Sequence, residues 1–274
     1  MSEPTRPSDK PSDFYSARYS NERQKLRDVI FAEVYDNYFG QSSWVSTADY
    51  DRFAEWLELT ADCRLLDIAC GSGEPSLRIA SGTGCMVTGI DSSEQAVATA
   101  SKLAHESGLA SRARFECTDA ARPLRYPDGS FDALVCIDAL AHFPDRRAIF
   151  TEWSRVLKPA GRLVFTSQVL TGPISNAEIA ARTPFGYYAI GPDGYDERLL
   201  GDAGFRLLQR VDLTSTFAQI AERHCAARAA QEQALRSAEG EQEFELQSRY
   251  RAIGARLARE RRLSHFAYLA HKGV

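Results

Sequence analysis

Short apolar runs alternate along the middle of the chain with longer segments whose apolar residues recur at helical spacing. The short runs predict strands over residues 64–69, 86–90, 114–117, 132–137 and 162–169. Helices are predicted from residue 75 onward, over 94–106 and over 145–157, and a turn over 158–161 precedes the fifth strand. This alternation predicts βαβ units and an α/β, doubly wound, mostly parallel sheet.

The two ends of the chain depart from this alternation. Residues 21–39 carry apolar side chains at helical spacing and are followed by Gly40, which predicts an amphipathic helix that covers the sheet. Residues 215–262 are rich in Ala, Glu, Arg and Gln and lack Pro, which predicts two helices joined near Gly240. Two strand candidates, 205–213 and 265–271, flank this segment, so the helices are expected to form an insertion that caps the domain.

The length and composition favour one domain with a cap. Of 274 residues, 44% are apolar and 26% are charged, which suffices for a sizeable core. We therefore divide the chain into a flexible tail (1–20), a core with its N-terminal cover (21–214), a helical cap insertion (215–262) and a final strand (263–274).

Charge and cysteine usage restrict the partners. The net charge of −4, with acidic and basic residues interspersed, argues against nucleic acid as a partner. Apolar runs are strand-sized, and the N-terminal residues lack an apolar signal segment, so we expect no membrane partner and a cytoplasmic location. Six cysteines without C-x-x-C spacing predict reduced thiols and no metal site. A homodimer is a further possibility that the sequence leaves open.

The first predicted strand runs into a glycine turn that precedes a helix. Gly71 and Gly73 let the backbone approach a ligand, and the helix N-terminus beyond them offers unpaired N–H donors. Asp91 follows Gly71 by 20 residues and stands directly behind the second strand, where a carboxylate accepts ribose hydroxyls. The alternative interpretation is a helix cap at this point, and capping by Ser92 is compatible with the ribose role.

Four acidic residues come at or just past the ends of the first four strands. They are Asp67, Asp91, Asp119 and Asp138. Carboxylates at one sheet edge repel each other, and the pyrophosphate of a dinucleotide would add to the repulsion, whereas a ligand with an ammonium and a sulfonium relieves it. The third position of the dinucleotide fingerprint is Ser76, which further disfavours an NAD(P)-dependent oxidoreductase.

These motifs, in this order, resemble those of class I S-adenosylmethionine-dependent methyltransferases. The matching segments are Asp-Ile-Ala-Cys-Gly-Ser-Gly (67–73), Ile-Asp (90–91), Thr-Asp-Ala (118–120), Phe-Asp-Ala-Leu-Val-Cys-Ile-Asp (131–138) and Leu-Lys-Pro-Ala-Gly-Arg-Leu (157–163). The resemblance covers about residues 42–213 and is nearest to enzymes that methylate N, O or C of quinones, sarcosine and natural products. It implies a Rossmann-like, seven-stranded sheet and S-adenosyl-L-methionine as the cofactor.

The resemblance also implies roles for individual residues. The methionine portion of the cofactor would be held by Asp67, Ala69, Gly71 and Gly73. The ribose would contact Asp91 and its neighbour Ser92, and the adenine would contact Asp119, Ala120 and Ile137. Each position has a structural alternative: turn geometry for the glycines and packing for Ile137.

Methyl transfer is an in-line displacement that mainly requires positioning. A nitrogen acceptor needs no base, whereas an oxygen or carbon acceptor must lose a proton. His142 is the histidine nearest the carboxyl ends of the strands, so a catalytic role stands beside that of a hydrogen-bonded turn residue; Asp138 is the second catalytic candidate. The other four histidines are interpreted as surface or packing residues.

The acceptor is expected to be a small, cyclic or aromatic metabolite. Its pocket is predicted to be lined by Gln41, Trp44, Tyr187 and Tyr188, which lie outside the predicted sheet. Two alternatives stay open at this point: an NAD(P)-dependent oxidoreductase, and a protein that binds an S-adenosyl nucleoside without catalysis.

Overall fold

The computed structural model describes residues 21–183 and 189–273. The strands are β1 (Arg64–Ile68), β2 (Met86–Asp91), β3 (Ala113–Cys117), β4 (Phe131–Cys136), β5 (Leu157–Leu170), β6 (Gly191–Pro192), β7 (Phe205–Asp212) and β8 (Leu263–Lys272). The helices are α1 (Asn21–Val34), α2 (Thr47–Leu57), α3 (Glu74–Thr83), α4 (Glu94–Glu106), α5 (Arg146–Val156), α6 (Asn176–Arg182), α7 (Tyr195–Asp202), α8 (Thr214–Ala230), α9 (Glu232–Glu239) and α10 (Glu241–Arg259), with a short 3-10 helix at Leu140–His142.

The strands form one mixed sheet in the order β3-β2-β1-β4-β5-β8-β7. Strands β1 to β5 pair in parallel, and β8 runs antiparallel to both β5 and β7. The doubly wound, mostly parallel sheet is therefore confirmed. The strand order reverses between β1 and β4, and ligands of such sheets bind in the crevice beyond the carboxyl ends of these strands.

The strand count differs from the expected seven. The eighth strand is β6, which pairs in parallel with the end of β5 through Val169 and Gly191. It has only two residues, so it leaves no hydrophobic pattern that sequence analysis can detect.

Helices cover both faces of the central strands. Leu66, Ile68 and Trp153 belong to the core on one face, while Leu65 and Phe53 belong to the core on the other. A strand buried on both faces requires apolar residues at successive positions, which is why the central segments of the sequence show continuous apolar runs.

The C-terminal cap contains three helices, so the prediction of two is wrong. The predicted joint at Gly240, where φ is +82°, separates α9 from α10, and a second break at Gln231 separates α8 from α9. The two strand candidates that flank this insertion are β7 and β8, which pair with each other in the antiparallel sense. Cap helices pack on α1 through a shared apolar cluster that includes Phe31, Ile220 and Phe244.

Two boundaries differ from the sequence-based expectations. The first helix ends at Val34 rather than at residue 39, and the chain continues as a loop in which the Tyr35 hydroxyl donates to the Ser43 carbonyl. The predicted turn over 158–161 is an irregularity within β5, where the pairing shifts between Phe131 and Ala133 of β4. Within the described residues, no helix combines the length and the apolar character needed to cross a bilayer.

Candidate cofactor and acceptor site

The glycine turn joins β1 to α3 at the carboxyl edge of the sheet. Gly71 and Gly73 have φ of +56° and +86°, a region that favours glycine. A Cβ added to Gly73 would stand 2.6 Å from the Cβ of Ala100, so a side chain cannot fit without displacement. Ala69 also has a positive φ, +58°, although it is not a glycine. Strain of this kind concentrates at binding sites.

Asp91, at the end of β2, accepts two main-chain hydrogen bonds. The Gly71 amide donates to Oδ2 over 3.0 Å, and the Ser93 amide donates to Oδ1 over 2.9 Å. Each carboxylate oxygen keeps a further lone pair for a ligand. Burial raises the pKa of Asp91 above its ordinary value.

Ser93, not Ser92, caps helix α4. The Ser93 hydroxyl accepts from the Ala96 amide over 3.3 Å, so the expectation of capping by Ser92 is wrong. The helix begins at Glu94, and the capping side chain belongs to the residue immediately before the first helical one. Ser92 stays a predicted neighbour of the ribose.

Asp67 is a buried acid beneath the turn. Its pKa is raised to about 7, mainly by burial and in part by the charge of Asp91, while the hydrogen bond that the Ser76 hydroxyl donates acts in the opposite direction. The described contacts of these two side chains are hydrogen bonds, from the Ser76 hydroxyl to Asp67 and from the Gly71 and Ser93 amides to Asp91.

The residues expected to contact adenine lie after β3 and β4. Asp119 accepts from the Ala121 amide over 3.0 Å and from the Arg122 guanidinium over 3.2 Å, and its side chain is half exposed. Ala120 is buried and Ile137 is half-buried. These positions are at the same edge as Asp91, and their contacts with adenine stay a prediction.

Asp138, just past β4, is engaged by protein donors on both oxygens. Its Oδ1 lies 2.8 Å from the Thr166 hydroxyl and 2.8 Å from Nε2 of His265, while Oδ2 accepts from the Trp44 amide. Burial alone would raise the pKa of Asp138, but His265 and these donors hold the pKa below its ordinary value.

Sequence reasoning missed His265 as a partner of the site. The residue is fully buried on β8, 127 positions from Asp138, and was interpreted as a surface or packing histidine. The available signal was a histidine within an apolar strand, since a buried imidazole requires a polar partner.

His142 ends the short 3-10 helix that follows β4 and is half-buried. Its amide donates to the Ala139 carbonyl over 2.9 Å. The neighbouring Ala141 carbonyl accepts from the Ala189 amide over 2.8 Å, so this turn contacts the chain just beyond residues 184–188. A catalytic role for His142 stays a prediction.

The four residues predicted to contact the acceptor differ in their placement. Gln41 is buried and bonded within its own loop, with the Phe39 amide donating to it over 2.8 Å. The half-buried indole of Trp44 has its ring centroid 5.2 Å from that of Phe217 in the cap. Tyr187 and Tyr188 lie outside the described residues.

Comparisons with known proteins agree with this geometry. A family model described as a methyltransferase domain matches residues 66–165. The 27-O-demethylrifamycin SV methyltransferase of Amycolatopsis mediterranei (strain S699) is 46% identical over 113 residues, which are 41% of this chain and 41% of that protein. The chain thus spans about two fifths of the length of this relative.

Two further proteins match more of the chain. O-methyltransferase rstn1 of Aspergillus nomiae is 31% identical over 155 residues, 56% of this chain and 68% of that protein. The crystal structure of the [4+2]-cyclase SpnF matches with a TM-score of 0.77 and 28% identity, over 99% of this chain and 98% of that one. None of these similarities supports the oxidoreductase alternative. The chain belongs to the class I S-adenosylmethionine-dependent methyltransferase family.

Proposed function

We propose that this protein transfers the methyl group of S-adenosyl-L-methionine to a hydroxyl oxygen of a small, cyclic natural product. The observation that carries the proposal is the pair of carboxyl groups beside the glycine turn, the buried Asp67 and the half-buried Asp91. The choice of oxygen is supported by the names of two relatives, the rifamycin 27-O-methyltransferase and O-methyltransferase rstn1.

The residues present fit the cofactor. Gly71 and Gly73 take positive φ values that bend the main chain into a tight turn, and the Asp67 carboxyl lies beneath that turn as a source of negative charge. In this proposal Asp67, Ala69 and the two glycines hold the methionine portion. Asp91 with Ser92 binds the ribose, and Asp119, Ala120 and Ile137 surround the adenine.

When bound, S-adenosyl-L-methionine supplies an electrophilic methyl carbon whose bond to sulfur breaks as the bond to the acceptor oxygen forms. The protein's contribution is to align that oxygen with the carbon–sulfur bond and to exclude water. The hydroxyl proton must also leave, and His142 is the proposed acceptor of this proton because it stands just beyond Asp138 at the carboxyl end of β4.

The acceptor is proposed to lie between Trp44 and the segment that carries Tyr187 and Tyr188. A half-buried indole in contact with the cap offers a flat apolar surface suited to a cyclic molecule. We propose a small-molecule acceptor as the partner of this protein, and neither a nucleic acid nor a membrane. We also propose that the protein acts in the cytoplasm. Six free thiols support a reducing compartment, and sedimentation at several concentrations would test for a homodimer.

The experiment is an acceptor screen with radiolabelled S-adenosyl-L-methionine. Hydroxylated macrolactones and ansamycins are incubated with the protein, and both S-adenosylhomocysteine release and product mass are measured. The expected result is a product heavier by one methylene, absent with Asp91→Ala. Tight NAD binding without any response to S-adenosylhomocysteine would overturn the proposal.

A second candidate function is a [4+2] cyclisation. The specific observation is that the similarity to SpnF, named a [4+2]-cyclase, extends over 99% of this chain, cap included, at 28% identity. A cyclisation leaves the mass of the substrate unchanged and releases no S-adenosylhomocysteine. A product of unchanged mass from a linear polyene precursor would therefore select this candidate over methyl transfer, and cofactor binding without any turnover would select the non-catalytic alternative.

A further inference from the structure

Asp138 is the meeting point of four parts of the fold. It follows β4, while its hydrogen-bond partners come from β5 (Thr166), from β8 (His265) and from the loop before α2 (Trp44). The Asp138 amide also donates to the Thr166 hydroxyl over 2.8 Å. The carboxylate thus ties the N-terminal cover to the sheet directly beside the candidate site.

The backbone at Asp138 shows that this arrangement is imposed by its surroundings. Its φ is +56°, a left-handed conformation that non-glycine residues adopt infrequently and at an energetic cost. Such a conformation persists only where neighbouring contacts hold it. The contacts with Thr166, His265 and Trp44 serve that purpose.

The geometry of His265 separates positioning from proton transfer. Its Nε2 faces Asp138, whereas its Nδ1 is buried and has no hydrogen-bond partner among the residues that the structure describes. The side chain is 0% exposed, so a ligand cannot reach Nδ1 while α8 stays in place. The ring centroid of Phe217, on that helix, stands 5.8 Å from the imidazole. The polar contact by which the His265 imidazole faces the candidate site is therefore the one to Asp138.

The other end of the network is Trp44. Its amide donates to Asp138, and its ring packs between α8 and α10, with centroids 5.2 Å from Phe217 and 6.2 Å from Tyr250. The hydrogen bond from the Trp44 amide to Asp138 fixes the main chain of this loop at the sheet, which places the indole at a defined depth under the cap. Loss of this hydrogen bond would let the loop shift and the indole move.

We infer that His265 is a positioning residue, which orients the Asp138 carboxylate so that Asp138 fixes the Trp44 loop and with it one wall of the acceptor pocket. The expected effect of His265 on turnover rests on the proposed function, whereas its expected effect on the position of Trp44 does not. The role that this arrangement gives to Asp138 is positioning, because donors from three parts of the fold hold its carboxylate in place.

Three variants of β8 test the inference. His265→Leu removes the donor to Asp138. His265→Gln retains a donor, since a glutamine amide reaches the place of Nε2 but does not titrate. His271→Leu is the matched control, because it makes the same change in the same strand at a half-exposed residue bonded to Arg206. All three are prepared as the full chain.

Activity is the first measurement. With His265→Leu we expect kcat/KM for the acceptor to fall by about 10-fold to 100-fold, the range for one charge-assisted hydrogen bond, with cofactor affinity almost unchanged. His265→Gln should restore most of the loss, and His271→Leu should match the unmodified protein. Equal impairment by Leu and Gln, or an unchanged rate with Leu, would overturn the inference.

Fluorescence of Trp44 is the second measurement and needs no turnover. Each variant is also prepared with Trp44→Phe added, and the spectrum of that protein is subtracted from the spectrum of the variant. The subtraction removes the emission of Trp56 and Trp153 and leaves the signal of Trp44. We expect acrylamide quenching of Trp44 to increase in His265→Leu but not in His265→Gln. If His265→Leu does not fold, Asp138→Asn is measured in its place, and unchanged quenching contradicts the inference. If the unmodified protein transfers no methyl group but His265→Leu still shows the fluorescence change, the proposed function is refuted and the inference about His265 is not.

Discussion

The Gly71 amide donates to the Asp91 carboxylate over 3.0 Å, although 20 residues separate the two in the chain. Parallel pairing of β1 with β2 brings them together, since Ile68 pairs with Ile90 and the Cys70 amide donates to the Ile90 carbonyl over 3.0 Å. The carboxylate therefore holds the turn that forms the cofactor cradle as well as the ribose that we propose it binds.

Replacement of Asp91 by Ala should weaken S-adenosylhomocysteine binding. The change removes charge-assisted hydrogen bonds to the ribose, so we expect a loss of about 1.5–3 kcal/mol in binding free energy, measured by calorimetry. Asp128→Ala is the control, because Asp128 is exposed and pairs with Arg155 away from the turn. Equal affinity of both variants would remove Asp91 from the cofactor site.

Binding of S-adenosyl-L-methionine should strengthen as the pH rises through about 7. Burial raises the pKa of Asp67 to about 7, so below this pH the carboxyl is protonated and must release a proton to face a cation. We expect the affinity to fall by about tenfold for each pH unit below 7. Calorimetry in buffers of different ionisation enthalpy would detect the released proton.

The matched variant is Asp67→Asn, which should bind more weakly and without this pH dependence. Stability changes in the opposite direction. The protonated form of Asp67 is favoured in the fold, so its contribution to stability is complete below the ordinary carboxyl pKa and is lost as the pH rises through about 7. An unmodified protein whose cofactor affinity is independent of pH would contradict the assignment.

Gly73→Ala should destabilise the fold and abolish cofactor binding. A Cβ at a φ of +86° and 2.6 Å from Ala100 combines backbone strain with overpacking, together about 2–4 kcal/mol of unfolding free energy. Gly82→Ala is the control in helix α3, where a Cβ meets nothing within 4 Å, and should stabilise by up to about 1 kcal/mol. Urea unfolding with cofactor titration measures both effects, and similar results for the two variants would contradict this account.

Arg146→Leu should be far more destabilising than Arg147→Leu. The guanidinium of Arg146 stands 2.6 Å from Asp196 with both side chains buried, so its removal strands a buried charge at a cost of about 3–5 kcal/mol. The neighbouring pair of Arg147 with Asp202 is exposed and contributes about 0–1 kcal/mol. Urea unfolding compares the two.

Loss of Arg146 should also raise the KM for the acceptor. Its guanidinium donates to the Ala189 carbonyl, immediately after the segment that carries Tyr187 and Tyr188. An unchanged KM in a folded Arg146→Leu protein would separate this pair from the acceptor pocket.

His142→Ala should lower turnover while cofactor affinity stays nearly intact. The residue follows β4, whereas the cofactor contacts are proposed mainly after β1, β2 and β3. For an oxygen acceptor we expect kcat to fall by about 10²-fold to 10⁴-fold, with loss of one limb of the pH–rate profile. Steady-state kinetics against pH provide the measurement, and an unchanged rate and KM would exclude His142 from the site.

The alternation of apolar runs with helical segments was enough to predict the doubly wound sheet, and two apolar runs near the C-terminal end marked the candidates for its last two strands. The spacing of Gly71, Gly73 and Asp91 predicted their meeting at one edge, because parallel strands bring their carboxyl ends together. These features are local or repetitive, so they leave a pattern in the sequence.

Contacts between distant residues left no such pattern. The pairing of His265 with Asp138, the bond from Trp44 to the same carboxylate and the packing of α1 on the cap join positions far apart in the chain. A carboxylate or a histidine can hydrogen-bond with many different groups, and an apolar helix face can pack on many different surfaces. The neighbouring residues in the sequence do not specify which partner is used. Only the packing of cover, sheet and cap, which buries these groups together and forces them to pair, decided these partners.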